Sequence, residues 1–314
     1  MFSFFWSWTY NYIRLLVKWF LRKTTGLCEL QRICYGEEIG APRTLGVEKS
    51  LHLSRNTSIQ SLITYLNSMS EQCRIVGEME KEILKHSILT VLQAKKINPT
   101  IHNRFGFSFG LCVRLIWGYK QMYHEIENLR TTQYSSENLE HEAKLLQLWR
   151  LLRPDEELEN RISKQWQDIG FQGDDPKTDF RGMGILGLEN LLYFSTEYPD
   201  VAKHVLSHSL HPTYGYAFAI VGINITSLAY RLMVEGDLRT HIYNYNYSKS
   251  TPTIKHFHQF YCYLFYEFDK YWIESKPANI MDFSRILQEF ETNIRSALTN
   301  LSTVFKINVA VDNI

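Results

Sequence analysis

Residues 166–188 read WQDIGFQGDDPKTDFRGMGILGL, and they interrupt a chain whose flanking sequence has helical periodicity. The segment holds five of the sixteen glycines of the chain, and glycine and proline at this density disfavour a continuous helix. A long irregular segment in a compact domain is usually either functional or disordered. Because aromatic and aliphatic side chains recur through this one, we predict a non-helical loop that its apolar side chains hold in place.

The rest of the chain has apolar residues spaced three and four apart, which is typical of amphipathic helices. We predict helices over 58–96, 107–129, 154–166, 186–194, 214–233, 256–272 and 280–305, with Ser135 or Ser136 capping another helix that begins soon afterwards. Residues 24–56 have little periodicity but contain four glycines and Pro42, so we predict a loop-rich connector there. The fold class expected is all-α with a Gly/Asp-rich central loop.

Composition excludes several classes of function. A net charge of +1 gives no support for a nucleic-acid-binding protein, and five scattered cysteines without a C-x-x-C pair favour free thiols over disulfides or a zinc site. Motifs of phosphate-binding loops, serine hydrolases and zincins are missing from the sequence. We therefore expect no cofactor and no metal.

The first 23 residues are rich in aromatic side chains and carry four basic residues but no acidic one. Arg14, Lys18 and Arg22 are four residues apart and share one face of a helix, opposite Trp19 and Phe20. Three interpretations stay open: a helix lying in the headgroup region of a membrane, a spanning helix whose basic side chains snorkel, and a helix packed on the core of the protein with a solvated basic edge.

Two other stretches admit more than one interpretation. His204, His208 and His211 have a spacing that metal ligands use on a helix, but no acidic or cysteine partner lies near them, which favours an ordinary polar helix edge. Residues 214–233 are apolar over the length of a membrane span. Their polar centre, around Asn224 and Thr226, favours instead a helix buried inside a domain.

Arg181 is the strongest candidate for a functional residue. An arginine beside glycine on a loop can enter the active site of another protein, where a planar, permanently charged guanidinium stabilises charge on a transferring phosphoryl group. The structural alternative is an internal ion pair from Arg181 to Asp174, Asp175 or Asp179, which would stiffen the loop. Spacing alone leaves both interpretations open.

The segment W-x3-G-F-Q-x-D-D-P-x-T-D-F-R-G-M-G-x-L-G-L resembles the signature of the ELMO domain-containing protein family. Supporting stretches are CELQRI at 28–33, RISKQW at 161–166, AIVGIN at 219–224 and HFHQFYCY at 256–263, so the resemblance extends over most of the chain. It implies four regions: a membrane-associating helix at 1–23, the connector at 24–57, a helical N-terminal part at 58–130 and an ELMO domain at 131–308.

The resemblance also implies a function. Such proteins activate small GTPases of the Arf and Arf-like group, notably Arf-like protein 2, and the required arginine is the one in D-F-R-G, here Arg181. The protein would need no cofactor of its own and would work at the cytoplasmic face of endoplasmic reticulum, lipid droplets or mitochondria, as well as in the cytosol.

The alternatives are an adaptor that only binds small GTPases, or a membrane-tethered structural protein. The motif residues expected to anchor the loop, orient Arg181 or contact the GTPase are Trp166, Gly170, Phe171, Gln172, Asp174, Asp175, Pro176, Thr178, Asp179, Phe180, Gly182 and Gly184. We expect Gly182 and Gly184 to provide steric clearance beside Arg181.

Overall fold

The structure, a computed structural model, describes residues 2–71, 77–247 and 250–307, with the side chains of residues 2–12 and 15 outside the description. Within these ranges every regular element is a helix, which confirms the all-α prediction. The α-helices are α1 (Phe2–Thr25), α2 (Glu29–Gly36), α3 (Ala41–His52), α4 (Thr57–Glu71), α5 (Glu78–Lys95), α6 (Asn103–Thr131), α7 (Leu139–Leu152), α8 (Gly184–Glu197), α9 (Pro199–Ser209), α10 (Phe218–Glu235), α11 (Arg239–Asn246), α12 (Ile254–Glu274) and α13 (Phe283–Thr299). Short 3₁₀ helices cover Lys164–Ile169, Pro176–Arg181 and Ile280–Asp282.

The chain divides into two compact units. The first unit comprises residues 1–121 and 243–251. Successive helices α2 to α5 pack against one another in it. Its core is built from fully or nearly fully buried side chains, among them Leu30, Val47, Ile59, Ile83, Val91, Phe105, Phe109 and Trp117.

The second unit comprises residues 122–242 and 252–314, and α8 is its central helix. Helices α7, α9, α10 and α12 all pack against α8, and α13 packs on α12. Apolar residues occupy nearly all faces of α8, as expected for a helix surrounded by others. Because residues 163–183 lead directly into this buried helix, the end of the central segment is fixed by the core of the unit.

The predicted loop-rich connector at 24–57 is wrong in its secondary structure, because α2 and α3 lie within it. Pro42 occupies the first turn of α3, where its missing N–H removes no intrahelical hydrogen bond. Gly40 precedes α3 with a φ of 107°. Gly40 and Pro42 thus stand at the beginning of a helix and not in a loop.

The helix predicted for 154–166 is also wrong, since residues 153–163 form turns and bends. Two indole groups hold this segment in an irregular path. Trp149 Nε1 donates to the carbonyl oxygen of Glu156 at 2.9 Å, and Trp166 Nε1 donates to that of Arg161 at 2.9 Å. Carbonyl groups that accept from side chains in this way need no helical partner.

Two helix ends differ from the prediction. The cap of α7 is Asn138, whose Oδ1 accepts from Glu140 N at 2.9 Å, whereas the hydroxyl of Ser135 accepts from Glu137 N. Helix α13 ends at Thr299, so Phe305 lies beyond it. The Phe305 ring stacks on Tyr263 with centroids 4.6 Å apart, which explains its apolar character without a longer helix.

By length and apolar composition, one helix among the described residues is able to cross a membrane, α10 at Phe218–Glu235. Most of α10 is buried against other helices of the second unit, including α8 and α12. The polar groups at its centre are satisfied there, because Thr226 Oγ1 donates to Gly222 O and accepts from Asn190 Nδ2, both at 3.0 Å. This arrangement is the buried domain helix that the sequence predicts.

Candidate functional site

Residues 163–184, called the site segment below, consist of two short 3₁₀ helices joined by tight turns. Ser163 and Asp175 cap these helices, with side-chain oxygens accepting from Gln165 N at 3.3 Å and Lys177 N at 3.0 Å. Ser163 N also donates to Asp174 O at 3.0 Å, which ties the start of the segment to its middle. We predicted a non-helical loop here. The segment instead contains two 3₁₀ helices.

A chain of aromatic rings holds the site segment on the second unit. Trp166 contacts Trp149 of α7 with ring centroids 5.5 Å apart and Phe171 at 5.8 Å; Phe171 contacts Phe180 at 5.7 Å, and Phe180 stacks on Tyr134 at 5.2 Å. All five side chains are buried. Aromatic pairs at these distances add to the free energy gained by burial, so the residue that follows Phe180 starts from a fixed backbone.

Two glycines of the motif allow close contact between backbones. A Cβ on Gly170, whose φ is 82°, would lie 2.9 Å from Ala219 N and closer still to Phe218 N at the start of α10. A Cβ on Gly184, whose φ is 54°, would lie 2.9 Å from the carbonyl oxygen of Leu129 and closer to two carbonyl oxygens beyond it. Gly184 therefore packs on the end of α6 and does not provide the clearance beside Arg181 that we expected.

Gly182 differs from both. Its φ is −79°, which any residue adopts, and a Cβ built there would meet no atom within 4 Å. The space next to Arg181 on its C-terminal side is therefore open, in agreement with the clearance that the sequence predicts for Gly182.

An ion network fastens the other side of the segment. Arg161 pairs with Glu142 of α7, donating from Nη2 to Oε1 at 3.0 Å and from Nε to Oε2. The Tyr134 hydroxyl donates to Glu142 at 2.5 Å, and Arg161 Nη1 lies 3.0 Å from Asp175 Oδ1 without the direction of a hydrogen bond. Burial alone would raise the pKa of Glu142, but the hydrogen bonds from Arg161 and Tyr134 lower it, so the carboxylate stays charged.

Arg181 ends the second 3₁₀ helix and is exposed. Its side chain makes no hydrogen bond or ion pair with any residue that the structure describes. The three aspartates that could pair with it have other partners: Asp174 accepts from Gln167 Nε2 at 3.3 Å, Asp175 pairs with Arg161, and Asp179 accepts from Gln172 N at 3.0 Å. The internal ion pair considered from the sequence is therefore absent among the described residues.

Comparison with known proteins places the sequence of this chain in a family. The sequence profile of the ELMO/CED-12 family matches residues 124–287. The chain belongs to the ELMO/CED-12 family. All residues of the site segment, α7 and α8 lie inside the matched range, as do Tyr134, Glu142 and Arg161.

Relatives similar over most of their length support the same assignment. The chain is 46% identical over 310 residues to ELMO domain-containing protein 2 of Bos taurus, which covers 98% of this chain and 100% of the relative. It is 44% identical over 311 residues to ELMO domain-containing protein 1 of Mus musculus, covering 93% and 90%. ELMO domain-containing protein B of Dictyostelium discoideum is 33% identical over 286 residues, covering 89% and 93%. No solved structure matches the chain significantly.

The remaining motif residues of this ELMO/CED-12 chain divide into buried and exposed ones. Pro176 is buried, whereas Gln172 and Thr178 are exposed. Burial raises the pKa of Asp179, although the hydrogen bond from Gln172 N and the charge of Arg181 act in the opposite direction. Contacts of these motif residues with a partner protein stay predictions.

The histidine pattern of α9 serves structure. His208 Nδ1 lies 2.7 Å from Asp269 Oδ2, and the Tyr216 hydroxyl donates to Asp269 Oδ1 at 2.7 Å. His211 Nδ1 accepts from the backbone N–H groups of Thr213 and Tyr214 at 3.1 Å each. In the described part of the chain no three His, Cys, Asp or Glu side chains are grouped to hold a metal ion. Cys28, Cys34, Cys112 and Cys262 are free and buried, and Cys73 lies outside the described residues.

Sequence reasoning missed the roles of Tyr134, Glu142 and Arg161. Arg161 belongs to a stretch that carries the family resemblance, but its partners are 19 and 27 residues away in the chain. No periodic pattern connects positions so far apart. The signal available was composition, since Arg161 directly follows an acidic stretch, 155–160.

Proposed function

We propose that this protein activates small GTPases of the Arf and Arf-like group, with Arf-like protein 2 as the first candidate, by supplying Arg181 in trans. The observation that carries the proposal is the state of Arg181. It is an exposed arginine without an ion pair among the described residues, although three aspartates lie within seven positions of it in the sequence. Membership of the ELMO/CED-12 family supports small-GTPase regulation as the class of function.

The mechanism follows from the chemistry of guanidinium. When GTP is hydrolysed, negative charge spreads over the oxygens of the transferring phosphoryl group. A guanidinium placed there donates hydrogen bonds in a planar fork and keeps its charge at any physiological pH. The GTPase would supply the magnesium ion and the residue that positions water. This protein would contribute one side chain, on a backbone that the buried rings of the site segment hold in place.

Contacts on both sides of Arg181 hold its backbone in place. Phe180 is buried and stacked on Tyr134, and Gly184 is packed against the end of α6. A residue whose neighbours are fixed loses little backbone entropy when it enters a partner, so more of its interaction energy is available at the transition state.

The test is single-turnover GTP hydrolysis by Arf-like protein 2, with wild-type protein compared with Arg181→Lys. An arginine that enters the active site of a GTPase, called an arginine finger, raises the rate of GTP hydrolysis by roughly 10³–10⁵. Lysine does not replace its planar fork of hydrogen-bond donors. We therefore expect stimulation by the wild type and loss of most of it in Arg181→Lys. Lys177→Gln is the matched control, since Lys177 is an exposed cation in the same 3₁₀ helix, and its stimulation should be unchanged.

Two outcomes would reject this mechanism. If the wild type stimulates no Arf-family GTPase, with or without membranes, yet binds one of them, the protein is an adaptor. If Arg181→Lys stimulates as strongly as the wild type, the protein works by ordering residues of the GTPase itself.

We also propose that α1 attaches the protein to the cytoplasmic face of membranes, such as those of endoplasmic reticulum, lipid droplets or mitochondria. The support for this attachment is the apolar face of α1, which is exposed. Ile13, Leu16, Val17 and Phe20 follow the i, i+3, i+4, i+7 spacing and are exposed, between 47% and 66%. Such a stripe suits insertion at the boundary between headgroups and acyl chains.

Vesicle flotation tests this attachment. Leu16→Ser with Phe20→Ser should strongly reduce binding to phosphatidylcholine vesicles that contain phosphatidylserine. Leu139→Ser, which alters an even more exposed leucine at the start of α7, should leave binding unchanged. Equal binding by all variants would show that α1 does not insert.

A further inference from the structure

A small cavity lies behind α1 in the first unit, on the opposite side of the helix from the exposed apolar stripe. Its volume is about 100 Å³, and Lys18, Arg22, Glu29, Ser50 and Lys95 contribute to its lining. Water occupies roughly 30 Å³ per molecule, so the cavity has room for about three waters or one phosphate-sized group.

Positive charge is in excess around this cavity. Glu29 is the acidic residue in its lining, and it is already engaged by Lys18 at 2.5 Å, Arg14 at 3.0 Å and the Ser50 hydroxyl at 2.5 Å. Four cations, with Arg22 and Lys95 included, thus face one carboxylate. Among the described residues no carboxylate lies within ion-pair distance of Arg22 or Lys95.

Of the two cations without a carboxylate, Arg22 contacts the backbone at Lys95. Arg22 Nη2 donates to the backbone oxygen of Lys95 at 3.3 Å, which brings its guanidinium to the end of α5. Burial lowers the pKa of the Lys95 ammonium, and the positive charges of Lys18 and Arg22 lower it further, against opposing contributions from Glu29 and Cys28. Lys95 is thus half-buried among like charges, a costly arrangement unless an anion is bound.

We propose that this cavity, the phosphate pocket, binds a phosphomonoester through Lys18, Arg22 and Lys95. A phosphomonoester carries about −1.5 to −2 charges at neutral pH and three strong acceptor oxygens, which matches an excess of lysine and arginine donors better than a singly charged phosphodiester. The group can belong to a lipid headgroup or to a soluble phosphomonoester, because both present the same chemistry.

The position of the pocket on α1 favours the lipid source. A helix lying in the interface turns its apolar face to the acyl chains and its polar face to the phosphate layer. Arg14, Lys18 and Arg22 lie on the face of α1 opposite Leu16 and Phe20. Insertion of the apolar stripe would thus bring the pocket to the depth at which headgroup phosphates lie.

The solution arm of the test uses inorganic phosphate against chloride at equal ionic strength, with thermal stability and titration calorimetry as readouts. Phosphate should stabilise the wild type, since a ligand of the folded state raises the melting temperature. Lys95→Gln should bind phosphate about tenfold more weakly, the effect of losing one charge-assisted hydrogen bond. Without phosphate it should be at least as stable as the wild type, because one of several like charges is gone.

Lys85→Gln is the matched control. Lys85 is an exposed lysine of the same helix, α5, and its removal changes the net charge equally. Phosphate affinity should not change in this variant. Equal weakening by Lys85→Gln and Lys95→Gln, or no phosphate binding by the wild type, would overturn the proposal.

The membrane arm compares phosphatidylcholine vesicles that carry phosphatidic acid, a phosphomonoester, with vesicles that carry phosphatidylserine, a phosphodiester. Preference of the wild type for phosphatidic acid that is lost in Lys95→Gln identifies a lipid headgroup as the ligand. Phosphate binding in solution without this preference identifies a soluble phosphomonoester. GTPase stimulation in membrane-free solution should be normal in Lys95→Gln, so failure of the pocket and failure of GTPase activation are separate results.

Discussion

The site segment and α1 arrange their side chains in opposite ways. In the site segment the aromatic residues Trp166, Phe171 and Phe180 are buried, and the cation Arg181 is exposed without a partner. In α1 the basic residues face the first unit, where Arg14 and Lys18 bind Glu29, whereas the apolar stripe is exposed. The site segment thus exposes a charged side chain above buried aromatic rings, whereas α1 exposes apolar side chains and turns charged ones to the protein.

This difference indicates different kinds of partner. A single fixed cation is suited to one developing negative charge at a defined position, as in an enzyme active site. An apolar stripe several residues long is suited to a surface without fixed positions, such as a bilayer. In the described part of α1, the interpretation of a helix packed on the core with a solvated basic edge does not hold for Arg14 and Lys18, which pair with Glu29 while the apolar stripe is exposed. Arg22, by contrast, is exposed.

The largest effect is expected from the same substitution made in both regions. Trp166→Ala removes a fully buried ring that contacts Trp149 and Phe171, and the free energy of unfolding should fall by about 3–5 kcal/mol. Trp19→Ala removes a ring that is 63% exposed, and the change should stay within about 0.5 kcal/mol. Chemical denaturation measures both, and equal losses would show that α1 is packed on the protein.

A second pair tests the glycines on either side of Met183. Gly184→Ala places a Cβ against three backbone carbonyl oxygens with φ at 54°, and we expect a loss of at least about 1–3 kcal/mol. Gly182→Ala enters open space in an ordinary conformation and should leave stability unchanged or slightly raised. A destabilised Gly182→Ala would contradict the open space described beside Arg181.

Acid should act on the two units over different pH ranges. Burial lowers the pKa of His241 to about 3 and that of His258 to about 4, whereas unfolded histidine titrates near 6.5. Because the unfolded chain takes up these protons first, the second unit should lose stability as pH falls below about 6.5, by up to about 1.4 kcal/mol per pH unit for each histidine.

Glu29 acts with the same sign, because its stabilising effect is also lost as pH falls, but over a lower pH range. Burial raises its pKa, but Lys18, Ser50 and Arg14 together lower it below the ordinary value, so the attachment of α1 that it provides is complete above about pH 4.3 and is lost below that. Hydrogen exchange at pH 7, 5.5 and 4 separates the two units. His258→Gln should reduce the pH dependence of the second unit, and an unchanged slope would contradict a neutral buried histidine.

The fold class and the buried state of α10 could be predicted from the sequence because both depend on local periodicity and on the polarity of short stretches. Prediction from the sequence failed where glycine and proline fit either a loop or a specific position in packed structure. Pro42 begins a helix, yet in composition it resembles a loop residue. Likewise, Gly184 and Gly182 are two positions apart in one motif, but only the three-dimensional contacts distinguish a close approach from open space.

Contacts over long sequence separations limited the prediction of the site. The motif indicated Arg181 and the aromatic residues, but the Arg161–Glu142–Tyr134 network joins positions that no spacing rule relates. Similarly, spacing alone left two interpretations of Arg181 open, and only the structure shows that Asp174, Asp175 and Asp179 have other partners. Asp179 binds the backbone of Gln172, which sequence spacing alone does not reveal.

The smallest change in stability is expected at Arg181, and Arg14 provides the comparison. Arg14→Gln breaks a partly buried ion pair with Glu29, so we expect a loss of about 1 kcal/mol, visible as faster hydrogen exchange in α1. Arg181→Gln removes an exposed cation that pairs with no described residue, and stability should change by less than about 0.5 kcal/mol. If Arg181→Gln instead destabilises the second unit, Arg181 stabilises the fold. Loss of GTPase stimulation in its variants would then not identify Arg181 as an arginine finger. If stability is unchanged and stimulation is lost, the side chain acts on the partner, because nothing in its own protein depends on it.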